Sequence, residues 1–440
     1  MIDYKEIRHS LHDHPQTAGC EEYAHDTIVK HLQGLHPSKV YTHVGGYGVI
    51  AVWEPRDSRI NTLTHSNIPT IAFRADTDAL PIGHRCGHDG HTTILLRLAE
   101  LIDEAYDSRI NTLTHLRILL LWQPAEETGT GSKAVLDSGI LQQYDIRAIY
   151  GLHNLPGYPL GTVVLCPHTF AAASTGVVYH LDGRETHAST PEMGINPGLA
   201  IAEIIQTFDR FNNSTGGNPH KANQSGSIDH REAGKPGQFR QSTLICVRIG
   251  QPAFGTSAGH GEVMFTLRAF TNDEMEKLLS DANQAVDEIA SRYKLTVSRS
   301  LVEPFRATEN NEECVNALMR ELRSATLWSQ LRSATLWSQL RSATLWSQCG
   351  SADATNTNTI THSKNNPAKN FQLSIFNFQL KKEPFRWSED FAEYLQVFPG
   401  AMFGIGSGEH QPELHHPDYD FPDALIEPAA QLFFRLASEL

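Results

Sequence analysis

The chain has 440 residues, of which 40% are hydrophobic and 20% are charged, and it carries a formal net charge of −14 at pH 7. This length predicts more than one domain, and the composition is typical of a globular protein. The acidic balance argues against nucleic acid or an anionic membrane as the main partner, because both attract a basic surface.

The cysteines and the apolar runs indicate in which cellular compartment the protein lies and whether it associates with a membrane. Six cysteines are scattered along the chain, which argues against a disulfide framework and favours a reducing compartment. No apolar run is long enough to span a bilayer, and residues 1–6 lack the apolar stretch of a signal peptide. We therefore expect a cytoplasmic protein without a membrane partner.

Hydrophobic patterns in the first 155 residues predict helices that alternate with buried strands. Residues 4–34 predict an amphipathic helix pair broken by a proline, and residues 92–102 predict a buried helix. Continuous apolar runs at 71–73, 116–122 and 148–152 are typical of strands that are covered on both faces. This alternation, with polar clusters at the strand ends, indicates an α/β sheet whose site lies at the carboxyl ends of the strands.

The segment from 174 to 306 has a different order of elements. Alternating strands and helices are predicted at 176–181, 197–211, 244–251, 262–270, 272–293 and 295–302. The last helix is expected to be capped by Asn272 and Asp273. The order β-α-β-β-α-β predicts a small ferredoxin-like sandwich, residues 174–306, inserted into a discontinuous main domain, residues 1–173 and 307–440.

Exact sequence repeats interrupt these patterns. They lie at 57–65 and 107–115, in three tandem copies at 322–348, and at 370–373 and 377–380. A nine-residue period keeps neither one helix face nor one strand face in register. We interpret the copies as insertions or duplications in loops, and we expect the long polar stretch 212–241 to be a loop as well.

Residues 86–91, Cys-Gly-His-Asp-Gly-His, place a thiol, two imidazoles and a carboxylate within six positions. Cys and His bind Zn²⁺, a carboxylate adds affinity for harder ions such as Mn²⁺, and the glycines permit a tight turn. A buried thiol beside surface imidazoles is the alternative interpretation of this segment alone. Companion motifs elsewhere in the chain have to decide between the two.

Two adjacent glutamates, Glu126 and Glu127, follow the predicted strand that ends at Trp122. Adjacent side chains of an extended chain point to opposite sides, so one can bind a metal ion while the other acts as a base. Two solvated glutamates at a helix start are the alternative. His153 at the next strand end and His415 in a later loop, taken singly, are more often structural or exposed.

Motifs spread over nearly the whole chain resemble one known family. They are residues 11–15 with 21–22, 74–81, 86–91, 123–127, 151–153, 186–191, 389–391 and 414–415. In this order they resemble the metallo-amidohydrolases that include hippurate hydrolases, bacterial N-acyl-amino-acid amidohydrolases and plant indole-acetyl-amino-acid hydrolases. Relatives usually carry a longer loop than residues 83–85 before the Cys-Gly-His segment.

The resemblance implies a fold and an activity. It implies an α/β fold with a phosphorylase/hydrolase-like mixed sheet flanked by helices in a catalytic main domain. The inserted ferredoxin-like domain would then be a lid and a dimerisation domain of a homodimer or higher homo-oligomer. The implied reaction is hydrolysis of the amide bond of a small-molecule N-acyl amino acid. The implied cofactors are two divalent metal ions per subunit, Mn²⁺ or Zn²⁺, with Co²⁺ or Ni²⁺ also tolerated.

The resemblance also implies roles for individual residues. The implied metal ligands are Cys86, His88, Glu127, His153 and His415. Glu126 is the implied general base, Asp76 a supporting carboxylate beside the metal ions, and His187 a lid histidine that approaches the substrate carbonyl.

Three further residues match the family pattern in supporting positions. Asp89 is expected to fix its own loop, and His91 to cap or pack at the start of the following helix. Arg268 matches a position in the inserted domain to which no role is assigned.

Two other functions stay open at this point. The same scaffold fits a dipeptidase or carboxypeptidase, which a comparison of acylated amino acids with free-amine dipeptides would separate. A non-catalytic binding protein of this fold is the other hypothesis. The presence of the ligand set together with Glu126 argues against it.

Overall fold

The computed structural model describes residues 2–55, 68–107, 113, 116–212, 239–332 and 377–439. The repeat copies at 57–65, 340–348 and 370–373 lie outside these residues, as does nearly all of the predicted loop at 212–241. Among the helices in the described ranges, none is long and apolar enough to cross a membrane.

The described helices and strands follow one another along nearly the whole chain. The helices are α1 (Tyr4–His12), α2 (Glu22–Leu32), α3 (His88–Asp107), α4 (Gly131–Asp137), α5 (Gly198–Asp209), α6 (Asn272–Arg292), α7 (Glu312–Arg332), α8 (Ala392–Leu395) and α9 (Ile426–Glu439). The strands are β1 (Lys39–Val44), β2 (Gly48–Trp53), β3 (Pro69–Asp76), β4 (Arg117–Gln123), β5 (Asp145–Pro156), β6 (Val163–Leu165), β7 (Ala173–Asp182), β8 (Thr186–His187), β9 (Arg240–Ile249), β10 (Thr256–Ser257), β11 (His260–Ala269), β12 (Thr296–Phe305), β13 (Phe378–Leu380) and β14 (Gly400–Gly408).

An eight-stranded mixed sheet, called here the main sheet, has the order β1-β2-β4-β3-β5-β14-β6-β13. The pairs β4–β3, β3–β5, β5–β14 and β6–β13 are parallel, whereas β1–β2, β2–β4 and β14–β6 are antiparallel. The prediction of an α/β fold with a mixed sheet flanked by helices is therefore confirmed.

Helices cover both faces of the main sheet. Along β4, Ile118, Leu120 and Trp122 pack into a cluster with α3, α7 and α9, while Leu119 and Leu121 pack into a second cluster with α4 and α8. All seven residues of β4 are buried, which explains why the strand reads as a continuous apolar run. Burial of each such side chain contributes about 1.5–3 kcal/mol to folding.

A separate four-stranded antiparallel sheet, called here the inserted sheet, has the order β12-β7-β11-β9. Helices α5 and α6 pack on one of its faces, against alternate residues such as Val177, Tyr179 and Leu181 of β7. The other face is free of helices in the described chain. Strands β8 and β10 form a separate two-stranded antiparallel sheet. The elements here follow the order β7-β8-α5-β9-β10-β11-α6-β12, so the short strands β8 and β10 are additional to the predicted order.

Several details differ from the sequence predictions. The residue that caps α6 is Thr271, whose side chain accepts a hydrogen bond from Glu274 N–H, rather than Asn272 or Asp273. Strand β5 extends to Pro156 instead of ending before His153, because its pairing with β14 continues to Pro156 after its pairing with β3 has ended at Gly151. The strands β1, β2, β6, β8, β10, β13 and β14 were not predicted.

Candidate metal centre

The carboxyl ends of three parallel strands meet at one edge of the main sheet. Strand β3 ends at Asp76 and β4 ends at Gln123, and His153 lies near the end of β5. Because these strands run in one direction, the segments that follow them emerge side by side. Those segments carry the motifs at 86–91 and 123–127.

The predicted ligands Cys86, His88, Glu127, His153 and His415 converge at this edge. Cys86 Sγ lies 3.6 Å from His153 Nε2 and 3.5 Å from His415 Nε2. Glu127 places Oε1 3.9 Å from His88 Nε2 and Oε2 3.9 Å from His415 Nε2. Within each of two groups, Cys86 with His88 and His153, and Cys86 with Glu127 and His415, the donor atoms all lie within 4.8 Å of one another.

The chemistry of this donor set fits divalent metal ions. His88 Nε2 and Glu127 Oε1 are both buried without a hydrogen-bond partner. A buried polar atom left unpaired costs about 1–3 kcal/mol, and a cation between two such atoms removes that cost. Thiolate, imidazole and carboxylate together suit Zn²⁺, Mn²⁺, Co²⁺ or Ni²⁺.

Backbone carbonyls orient two of the imidazoles. His88 Nδ1 lies 3.0 Å from Asp78 O, and His153 Nδ1 lies 2.8 Å from Asn154 O. A ring nitrogen that donates to a carbonyl leaves the other nitrogen as the lone-pair donor, which is the tautomer that a metal ion requires. In both residues that second nitrogen, Nε2, faces the centre.

Two residues at the centre hold a left-handed backbone that is unusual outside glycine. Ala125 has φ 55° and His415 has φ 66°, conformations that cost about 1–3 kcal/mol each and tend to occur at functional sites. Hydrogen bonds fix both: Ala125 N–H donates to Glu21 Oε1 at 2.9 Å, and His415 N–H donates to Arg85 O at 2.9 Å. Glu21 thereby positions the segment that carries the paired glutamates.

Asp76 supports the centre from behind the ligands. Its Oδ1 lies 2.6 Å from His91 Nδ1, and its Oδ2 accepts a hydrogen bond from Arg74 Nη1 and lies 3.7 Å from His88 Nε2. Burial alone would raise the pKa of Asp76, but His88, His91 and Arg74 hold this pKa well below its usual range. Asp76 is therefore an ionised carboxylate that balances the charge of its neighbours.

The guanidinium of Arg74 connects two segments that the sequence separates widely. It is fully buried and donates to Asp76, to Gln123 Oε1 at 2.8 Å and to Asp390 Oδ1 at 2.8 Å. Gln123 Nε2 also donates to Asp390 Oδ2 at 2.8 Å. This network holds the segment around Asp390 against the ends of β3 and β4.

Glu389 joins the centre although no role was predicted for it. Its Oε1 lies 3.6 Å from His153 Nε2, and its Oε2 is buried without a hydrogen-bond partner. Burial raises the pKa of Glu389 to about 8 against the opposing charge of Arg74. The only sequence signal for this residue is its place in the 389–391 motif.

Glu126 lies beside the ligands and is itself buried. Its Oε2 is 4.0 Å from His88 Nε2, and its Oε1 accepts a hydrogen bond from Asp390 N–H at 3.4 Å. Burial raises the pKa of Glu126 well above its usual range, and the nearby carboxylates of Glu389, Asp390 and Glu127 raise it further. A carboxylate in such surroundings binds a proton readily.

A cavity of about 400 Å³ opens onto the centre. Its polar wall contains Cys86, Glu126, Glu127, His153, Glu389 and His415, and its less polar wall contains Leu155, Pro156, Tyr158, Phe385, Trp387 and Leu414. A polar wall with metal-binding donors opposite an apolar wall suits a small ligand with one reactive polar group and one apolar group.

The structure does not bring His187 to this cavity. His187 lies on β8, which pairs with β10. Its side chain is exposed, and its Nδ1 lies 2.7 Å from Ser189 Oγ. Arg268 of β11 is closer, because its Nη1 donates to Arg386 O at 2.8 Å and to Ser388 Oγ at 3.2 Å. Arg268 therefore ties the inserted sheet to the rim of the cavity.

Asp89 and His91 contact residues next to the ligands. Asp89 Oδ2 accepts a hydrogen bond from Arg8 Nη1 at 3.1 Å and lies 2.9 Å from His12 Nδ1. His91 Nε2 lies 2.6 Å from Asn154 Oδ1. These contacts give the motif at residues 11–15 a structural role. Through Asp89, Arg8 and His12 anchor α1 to the loop that holds Cys86 and His88.

Comparisons with known proteins agree with this fold. The sequence model of Peptidase family M20/M25/M40 matches residues 72–439. An N-acetyldiaminopimelate deacetylase of Lactobacillus helveticus (strain DPC 4571) is 25% identical over 429 residues, covering 93% of this chain and 90% of the relative. The crystal structure of Bacillus subtilis YXEP protein, a dinuclear metal binding peptidase from the M20 family, has a TM-score of 0.68 at 20% identity, covering 99% of this chain and 96% of that one. An aminobenzoyl-glutamate utilization protein from Klebsiella pneumoniae has a TM-score of 0.60 at 17% identity, covering 99% and 95%.

Proposed function

The chain belongs to peptidase family M20/M25/M40, and from this premise we propose that it hydrolyses the amide bond of small N-acyl amino acids. The products are a carboxylic acid and a free amino acid. As a member of this family the chain is a metal-dependent amidohydrolase, so the proposal concerns its substrate class and the roles of its residues.

The observation that carries the proposal is the pair of donor groups that share Cys86. We assign Cys86, His88, Glu127, His153 and His415 as ligands of two divalent ions, Mn²⁺ or Zn²⁺, with Co²⁺ or Ni²⁺ tolerated. Two such ions, when bound, lower the pKa of a water molecule and polarise the substrate carbonyl. Asp76 stays behind the ligands as a charge-balancing carboxylate.

Glu126 is assigned as the general base. It accepts a proton from the attacking water as the water oxygen bonds to the carbonyl carbon, and it delivers that proton to the amine nitrogen as the C–N bond breaks. Its position supports this role, because Oε2 lies beside His88 at 4.0 Å and faces the same cavity as the ligands.

The apolar wall of the cavity is assigned to the acyl group. Leu155, Tyr158, Phe385 and Trp387 offer an apolar surface next to the donors, which suits an acyl chain or an aromatic ring. The names of two similar proteins, the N-acetyldiaminopimelate deacetylase and the aminobenzoyl-glutamate utilization protein, support an N-acyl amino acid as the substrate class.

We assign residues 174–306 as a ferredoxin-like lid that also mediates dimerisation. Edge strand β9 exposes apolar side chains, with Ile245 60% and Ile249 40% exposed, and α5 exposes Leu199 at 72%. An exposed apolar edge strand favours pairing with a second copy. His187 would reach a substrate carbonyl only after closure of this lid or from a partner subunit.

A substrate panel with and without metal ions tests the proposal. The metal-stripped protein is assayed on N-acetyl and N-benzoyl amino acids and on free-amine dipeptides, before and after addition of Mn²⁺, Zn²⁺, Co²⁺ or Ni²⁺. We expect turnover of the acylated amino acids only after a metal ion is restored. Exclusive turnover of dipeptides would favour the alternative function of a dipeptidase. Activity that survives complete metal removal would overturn the mechanism.

A further inference from the structure

Two histidines and two carboxylates lie together on the face of the inserted sheet that α5 and α6 do not cover. His180 and Asp182 of β7 stand directly opposite Glu262 and His260 of β11 in the strand register. The residues between them, such as Leu181, point to the other face and pack in the core. These four residues, called here the inserted-sheet cluster, share no member with the candidate metal centre.

Three donor atoms of this cluster have the spacing of metal ligands. His180 Nδ1 lies 3.0 Å from Glu262 Oε1, and His260 Nε2 lies 3.7 Å from the same oxygen. The donor atoms of these three residues all lie within 4.8 Å of one another. Two ligands of a tetrahedral ion with metal–ligand bonds of about 2.0–2.1 Å are separated by about 3.3–3.4 Å, so the observed distances bracket that separation.

The fourth residue holds one ligand in the required tautomer. Asp182 Oδ1 lies 2.7 Å from His260 Nδ1, an arrangement in which the carboxylate accepts the Nδ1 proton and leaves Nε2 as a lone-pair donor. A carboxylate in this position behind a ligand histidine is a recurrent feature of zinc sites. The two imidazole rings are nearly parallel, with centroids 6.4 Å apart and an interplanar angle of 21°.

The surroundings leave room for the remaining coordination position. Glu262 and His260 line a cavity of about 360 Å³ together with Glu185, Thr256 and Gly259. Glu262 is only partly exposed, at 20% of its side chain, and Arg248 Nη1 lies 3.4 Å from its Oε2. This contact occupies one carboxylate oxygen and leaves Oε1 facing the two histidines.

From this geometry we propose that His180, His260 and Glu262 bind a further divalent ion of the Zn²⁺ class, with water completing its coordination. Asp182 acts as the positioning residue behind His260. Two imidazoles and one carboxylate are a donor set that Zn²⁺, Co²⁺ and Ni²⁺ accept. The site is independent of the proposed reaction and of the number of ions held at the candidate metal centre.

The position of the site gives the ion a structural consequence. Gly183 N–H donates to Gly259 O at 2.7 Å, and Gly250 N–H donates to His260 O at 3.1 Å. Thr256, which lines the same cavity, pairs with His187 in the two-stranded sheet of β8 and β10. An ion that joins β7 to β11 here would stabilise the neighbouring pair of β8 and β10, because β8, which carries His187, directly follows β7 in the chain and β10 directly precedes β11.

Counting the bound ions tests the site directly. The metal-stripped full chain is dialysed against buffered Zn²⁺, and the ions per chain are measured by atomic emission for the wild type, His260→Ala and Glu262→Gln. We expect each variant to bind one ion fewer than the wild type. His168→Ala removes an exposed histidine that precedes β7 and lies outside the inserted sheet. It serves as the matched control, which should bind as many ions as the wild type.

Because only the difference between variants matters, the result does not depend on whether the candidate metal centre holds one ion or two. Circular dichroism of each metal-free variant checks that it is folded. Asp182→Asn keeps all three ligands and should weaken Zn²⁺ binding at this site about 10–100-fold, measured by titration with Co²⁺ and its visible absorption. Equal ion counts in the wild type, His260→Ala and Glu262→Gln would leave only cross-strand ion pairs and would overturn the proposal. An unchanged affinity in Asp182→Asn would overturn the role of Asp182.

Discussion

His88 Nε2 lies 3.9 Å from Glu127 Oε1, and both atoms are buried without a hydrogen-bond partner. They come from different elements: His88 begins α3, and Glu127 follows the end of β4. Folding brings both to the same edge of the main sheet and excludes water from them. Since unpaired buried polar atoms are unfavourable, this pair indicates that a cation belongs between them.

The two adjacent glutamates should separate metal binding from turnover. Glu126→Gln removes the proposed base while leaving the ligands, so we expect turnover to fall about 10²–10⁴-fold with bound metal unchanged. Glu127→Gln removes a ligand charge, so bound metal and turnover should fall together. The measurement is kcat alongside metal content for each purified variant. Full activity in Glu126→Gln would exclude it as the base.

Glu389 should contribute to metal affinity through His153. Its Oε1 lies 3.6 Å from His153 Nε2. A cation bound at that nitrogen favours the ionised carboxylate over the neutral form that burial favours, so Glu389→Gln removes a negative charge next to a ligand nitrogen. We expect metal affinity to fall about 10–100-fold, measured by competition with a chelator of known affinity. Glu393→Gln, a change four residues further along the chain on a partly exposed side chain, is the matched control. Equal affinities of Glu389→Gln and the wild type would mean that Glu389 takes no part in metal binding.

Arg74 should be essential for stability. Its buried guanidinium contacts the buried carboxylates of Asp76 and Asp390, so Arg74→Met leaves two carboxylates without their cation. We expect the free energy of unfolding to fall by about 3–5 kcal/mol, measured by chemical denaturation in the absence of metal. The double variant Arg74→Met/Asp390→Asn should recover part of this loss, because one uncompensated charge is gone. A single variant as stable as the wild type would contradict this account.

The sequence predicted the strands best where the local hydrophobic pattern matches the faces that the strand buries. The continuous apolar run of β4 and the alternation of β7 both reflect the faces that those strands bury, so periodicity was sufficient. Strand β14 was missed because it is rich in glycine. A Cβ at Gly400 would lie 2.4 Å from Ile149 O, and one at Gly404 would lie 2.0 Å from Leu155 Cδ1. Close packing against β5 therefore requires a composition that does not look like a strand.

The candidate site was also predictable only where its residues form a short local motif. The donors Cys86 and His88 lie in one short motif, so the residue types alone suggested a metal site. The place of Glu389 depends on contacts with His153 and Arg74, which come from strands far away in sequence. No local pattern records such contacts. The exposed position of His187 depends equally on how the inserted sheet is placed, which motif spacing does not encode.

His31 should make stability depend on pH in the weakly acidic range. Burial lowers the pKa of His31, against the opposing charge of Glu100 from α3, and its Nε2 has no hydrogen-bond partner. The unfolded chain therefore binds a proton below about pH 6.5 while the folded chain resists it, so stability falls as the pH falls through that value. His31→Gln should show a smaller loss of unfolding free energy between pH 7 and pH 5. The difference is limited to about 1.4 kcal/mol per pH unit for one proton. Identical pH profiles of the two proteins would exclude this role.

Cys86 should make the protein sensitive to oxidants in a metal-dependent way. Its Sγ is the donor shared by both groups of ligands, and a thiolate is a soft and oxidisable ligand. An ion bound to sulfur occupies the electron pair that attacks peroxide, so we expect Cys86 in the metal-loaded protein to oxidise several-fold more slowly than in the stripped protein.

Cys20 is exposed and would oxidise in both states, so the experiment uses a Cys20→Ser background. Mass spectrometry of the peptide that contains Cys86 measures its conversion to sulfinic and sulfonic acid without relying on activity. Cys166, which is buried away from the donors, serves as the internal control and should oxidise at the same rate with and without metal. Equal rates at Cys86 in the loaded and stripped protein would exclude Cys86 as a ligand.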